Sequence, residues 1–110
     1  MGKPTNVYYA KPELFREVVM GWEFLKGINH PVIERLVKHD LTGYQKVAMT
    51  TKTDLSVIFE FYQAEVWSPR GEMREFIREM GLNHTSMSVG DIVEMEGEYY
   101  FCDPDGWHKF

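Results

Sequence analysis

Apolar and polar positions along this chain switch between a period near two and a period near 3.6, and the switches mark its elements. Val7, Tyr8 and Tyr9 suit a half-buried pleated surface and Lys11-Pro12 stops the extended run, which predicts a first strand over Thr5–Ala10. From Pro12 onward Leu14, Phe15, Val18, Val19 and Trp22 recur at helical spacing, with Pro12 suited to a first turn and Gly21 to an end, so an amphipathic helix follows. The breaker cluster Gly27-Ile28-Asn29-His30-Pro31 precedes Val32, Ile33, Leu36 and Val37, which predict a short helix up to about His39. Residues 44–51 read as a strand with one wet face, Val47 and Met49 pointing one way and Lys46, Ala48 and Thr50 the other.

Thr53 or Asp54 can cap a helix whose stripe is Leu55, Ile58, Phe59 and Tyr62. Trp67-Ser68-Pro69 breaks it; Ser68 as cap and Pro69 at the first position predict another helix, with Met73, Phe76, Ile77 and Met80 inward, until Gly81. A polar segment then leads into a strand over 89–95. Glu96-Gly97 supplies a tight turn, a strand over 98–102 returns antiparallel, Asp103-Pro104-Asp105-Gly106 turns again, and 107–110 forms a last short strand. The expectation is one α+β domain spanning 1–110, with a mixed or antiparallel sheet, a C-terminal β-meander and three to four helices packed largely on one face. Leu14, Phe15, Val18, Val47, Leu55, Ile58, Phe59, Phe76, Ile77, Val89, Ile92, Val93 and Tyr100 are its predicted core.

Composition supports a self-sufficient core: 44% of the 110 residues are hydrophobic and 15% aromatic, which argues against disorder. The lone Cys102 excludes an internal disulfide and suits a reducing compartment; nothing cationic flanks it, so it reads as a small buried strand side chain. The apolar runs are short and the first residues lack a signal-peptide pattern, so a cytoplasmic, membrane-free protein is expected. The formal net charge of −5 opposes a general nucleic-acid coat. Its placement is more telling: from Gly90 to Phe110 the charged residues are Asp91, Glu94, Glu96, Glu98, Asp103 and Asp105 against Lys109, while the preceding chain carries equal numbers of each sign.

Local motifs for chemistry are lacking. His30, His39, His84 and His108 fall at no metal-ligand spacing, so no metal and no cofactor is expected. Ser86 and Ser88 lie near His84, but loop neighbours rarely meet the geometry of a nucleophile and its base, and Asp103 with Asp105 reads as turn chemistry. Gly90 has no companion glycines or following helix to cradle a phosphate and reads as a bulge or close backbone approach. No catalytic residue is assigned and an enzyme is not expected. Two charged groupings remain. Arg70, Arg74 and Arg78 line one helix face, either solvated beside Glu72, Glu75 and Glu79 or contacting phosphate. Asp91, Glu94, Glu96 and Glu98 would project from one side if the strand register continued through the turn, either steering a partner, with Tyr99 or Trp107 as exposed anchors, or keeping an edge strand from unwanted pairing.

The stretch from Tyr44 to Phe110 carries Tyr44-Gln45-Lys46-Val47-Ala48, a helix with Phe59, Trp67-Ser68-Pro69, His84-Thr85-Ser86-Met87-Ser88-Val89-Gly90-Asp91-Ile92-Val93 and a Gly106-Trp107 ending. In these residues it resembles small proteins of tailed phages and mobile elements related to the YodL-like domain; the N-terminal 40 residues carry no such likeness. The resemblance implies a phage or mobile-element setting and transfers no catalytic residues. Joined to the charge placement, it gives the expectation of a non-enzymatic accessory protein that binds a host protein through the acidic C-terminal hairpin, for host takeover or anti-defence. The alternative is a nucleic-acid-binding module using Arg70, Arg74 and Arg78.

Overall fold

A computed structural model of the chain describes residues 3–110. The first strand, β1 (Thr5–Ala10), forms where the alternating pattern places it, and Pro12 opens helix α1 (Pro12–Val18). Gly21, at φ +97°, ends that helical run and starts α2 (Trp22–Gly27); Pro31 opens α3 (Pro31–Val37). Strand β2 (Tyr44–Thr50) precedes α4 (Leu55–Phe61), whose cap is Asp54: its carboxylate accepts the Ser56 and Val57 N–H groups. Two short helices, α5 (Ala64–Trp67) and α6 (Arg74–Glu79), lead to the meander of β3 (Ile92–Met95), β4 (Glu98–Asp103) and β5 (Gly106–Lys109).

The five strands form one sheet in the order β2-β1-β3-β4-β5, with every neighbouring pair antiparallel. The expected α+β class, antiparallel sheet and C-terminal meander are present. The helices, however, do not share one face. Strand residues alternate between two buried clusters. Val7, Tyr9, Val93 and Met95 pack with Ile58, Tyr62 and Ile77 beneath α4 to α6. Ala10, Tyr44, Ile92 and Phe101 pack with Leu14, Val18, Trp22, Leu25, Val32 and Leu36 beneath α1 to α3. A sheet whose central strands are apolar on both sides needs cover on both sides, and six short helices divide between them.

Three local readings change for identifiable reasons. Val47 and Met49 do not point the same way: a bulge lets Val7 face Ala48 while Tyr8 faces Lys46, so Val47 is the extra residue and turns inward, leaving Met49 exposed. Ser68 does not cap a helix at Pro69; its hydroxyl accepts the Met73 N–H across a turn, and α6 begins only at Arg74. With that helix so short, Ile77 is buried but Phe76 is exposed. The expected close approach at Gly90 is present: at φ +98°, a Cβ there would overlap the Val18 side chain.

Candidate functional site

Asp91 is not part of an acidic surface. Its side chain is fully buried, 0% exposed, at the start of β3. The carboxylate accepts the Ala10 N–H at 2.9 Å and the Ser88 N–H at 2.8 Å, and lies 3.0 Å from His84 Nε2. Burial pushes this carboxyl up, while His84 and the two backbone N–H groups pull it back. The two backbone N–H groups are donors, as a carboxylate oxygen requires. His84 lies between Tyr9 and Phe15, with ring centroids 4.6 and 4.3 Å away, and its Nδ1 is buried without a hydrogen-bond partner. Ser86 does not complete a catalytic set, because its hydroxyl accepts the Ala64 N–H at the start of α5. The pair fastens loop to sheet.

The other acidic residues part company at the β3–β4 turn. Glu96 (φ +53°) and Gly97 (φ +81°) form the two-residue turn that the sequence suggests, but that turn interrupts the alternation. Glu94 faces Tyr99 and Met95 faces Glu98, so Glu94 and Glu98 lie on opposite sides of the sheet. Glu94 is half-buried and accepts hydrogen bonds from Tyr8 Oη and Asn6 Nδ2, both at 3.1 Å. Burial, then Glu94, pushes the Tyr8 phenol up to about 12. Glu96 and Glu98 are exposed, Glu98 lying 3.5 Å from Lys109. The proposed anchors are half-buried rather than free: Tyr99 stacks on His39 at 4.1 Å and Trp107 packs against the α4–α6 side of the core.

Concave acidic surface lies instead around the β4–β5 turn. One cleft, about 170 Å³, is lined by Met20, Gly21, Trp22, Glu23 and Phe24 on one wall and Asp103, Pro104 and Asp105 on the other. A second, about 160 Å³, is lined by Asp103, Asp105, Gly106, Trp107 and His108. Asp103 ties the walls together: its Oδ1 accepts the Trp22 N–H at 2.9 Å, satisfying an amide at the start of α2. Met20, Glu23 and Phe24 have no place as site residues in the sequence pattern, which ends the first helix at Gly21 and assigns no element between there and the breaker cluster at Gly27.

The arginines separate too. Arg74 and Arg78, one helical turn apart, line a cleft of about 270 Å³ with Ile77, Leu82, Asn83 and Thr85. Arg70 lies in the preceding turn and does not line it; Arg78 is also 3.6 Å from Glu75. The histidines have packing partners, with His30 Nδ1 accepting the Val32 N–H to cap α3 and His108 stacking on Trp22 at 4.3 Å. Among the described residues no group of three or more His, Cys, Asp or Glu side chains converges as a metal site, and no helix is long and apolar enough to cross a membrane. No protein-family model, curated protein or solved structure matches the chain.

Proposed function

We propose that this chain is a non-enzymatic accessory protein of phage or mobile-element type that binds a host protein through its acidic C-terminal meander. The observation that carries the reading is the division of labour among its carboxylates. Asp91 and Glu94 are consumed by internal hydrogen bonds, whereas Glu96 and Glu98 stand exposed at the β3–β4 turn and Asp105 at the β4–β5 turn, at the opposite end of β4. Same-sign charge on projecting turns raises the encounter rate with a basic partner and suppresses acidic ones. The phage setting rests on the likeness of residues 44–110 to YodL-like proteins.

The test is capture of partners from host lysate by the native protein and by an E96K/E98K/D105K variant. Because all three positions are exposed, the variant should keep its circular dichroism and melting temperature while losing a partner that the native protein retains. Equal recovery by both removes the acidic surface from the function. A second reading, contact with nucleic acid, is favoured by the cleft shared by Arg74 and Arg78. It predicts oligonucleotide binding that weakens steeply with salt and disappears in R74E/R78E.

A further inference from the structure

We infer that the cleft between the start of α2 and the β4–β5 turn is the docking groove for a basic amphipathic helix of a partner protein. This rests on the reading of the acidic meander as protein-binding and assigns that role to its β4–β5 turn, with one occupant. Met20 and Phe24 are 52% and 45% exposed on the cleft wall, and Ile28, one turn beyond Phe24, is 56% exposed. Met20 precedes the Gly21 break, Phe24 lies on α2 and Ile28 is its C-cap just outside the cleft; α2 has already buried Trp22 and Leu25, which leaves these three apolar side chains to solvent. The spacing of Phe24 and Ile28, about 6 Å along a helix axis, matches an i, i+4 pair of apolar residues on a partner helix.

Charge selects the rest of the occupant. Glu23 and Asp105 line the cleft with exposed carboxylates beside Asp103, whose Oδ1 is held by the Trp22 N–H, and among the described residues no Lys, Arg or His lines it. The volume, about 170 Å³, is below the range of about 300–1,000 Å³ for small-molecule sites and suits one inserted apolar side chain. The site is rigid before any partner arrives. Trp22 is buried and stacks on His108 and Phe110, its N–H is held by Asp103, and Gly21 lets Pro104 approach to 3.4 Å of where a Cβ would stand. A preorganised wall loses little on binding.

The probe is a synthetic Lys/Leu peptide patterned as an amphipathic helix, with a Glu/Leu peptide of the same pattern as control, followed by anisotropy and by NMR of the intact protein. The Lys/Leu peptide should bind and shift the signals of Met20, Phe24 and Asp105. Phe24→Ser should weaken it about 30-fold, as loss of a central anchor does. E23K/D105K should weaken it about tenfold and reduce its salt dependence. The exposed positions of these residues let the fold be verified in each variant. No binding of the Lys/Leu peptide, or equal binding of the Glu/Leu peptide, overturns the inference. Binding lost in E96K/E98K but unchanged in both cleft variants also overturns it, and that outcome leaves the β3–β4 turn, at the other end of β4, as the partner surface.

Discussion

Gly90 shows how much one side chain's absence can carry. Its φ of +98° disfavours any other residue, and a Cβ would stand 2.9 Å from the Val18 carbonyl carbon, which is backbone and cannot rotate away. Gly90→Ala should therefore cost about 2–4 kcal/mol, read as a lowered urea midpoint. Gly97, at φ +81° with open space around its missing Cβ, has only the backbone penalty, so Gly97→Ala should cost about 1 kcal/mol. Cys102 is governed by its surroundings in another way. Burial, reinforced by the charges of Asp91 and Asp103, pushes its thiol up to about 12, so the thiolate that attacks disulfide reagents is scarce in the folded protein. Labelling by such a reagent at about pH 8 should be slow in buffer and fast in denaturant; fast labelling of the native protein would contradict the burial.

At the scale of elements, Asp91 joins the end of β1, the loop at Ser88 and His84 through one carboxylate. Asp91→Ala leaves two backbone donors without their acceptor and His84 without its partner in a dry site, and should cost about 3–5 kcal/mol in urea unfolding. A loss below about 1 kcal/mol would mean that water replaces the carboxylate. The sequence conceals this role because Asp91 stands in a run of acidic residues, and which of them a neighbouring strand buries is decided by contacts more than 80 positions away. Where the signal is local, it is legible: β1, β2, the Asp54 cap of α4 and the Glu96-Gly97 turn follow from alternation, capping chemistry and positive φ. Where one residue shifts the phase, it is not. The bulge at Val47 reverses Met49, and the turn at Glu96 sends Glu94 and Glu98 to opposite faces. The acidic meander is thus readable as a region, but the cleft beside it depends on α2, a helix of only six residues that the pattern after Gly21 does not announce.

For the whole molecule, the sheet is the shared wall of two cores, and a tyrosine on each side gives a way to ask whether they stand or fall together. Tyr9, on the α4–α6 side, donates to the Thr85 carbonyl at 2.8 Å; Tyr44, on the α1–α3 side, donates to the Gly90 carbonyl at 2.7 Å. Burial raises both phenols, and the Asp91 charge adds to each. A folded value raised above the unfolded one, about 10, means that the fold favours the protonated phenol. That contribution is fully present below about pH 10 and is lost as pH rises toward the folded values, when a phenolate would face a carbonyl in a dry interior. The protein should therefore unfold in alkali, with its urea midpoint falling steadily above about pH 10. Trp22 reports on one core and Trp67 packs against the other, so variants with Trp107 replaced and only one of these two retained separate the two sides. Because β1 and β3 contribute residues to both cores, neither layer can open without exposing the other's wall, and both tryptophans should report one alkaline transition with a common midpoint. Midpoints that part, with Trp22 lost before Trp67 or the reverse, would show two layers that fold independently.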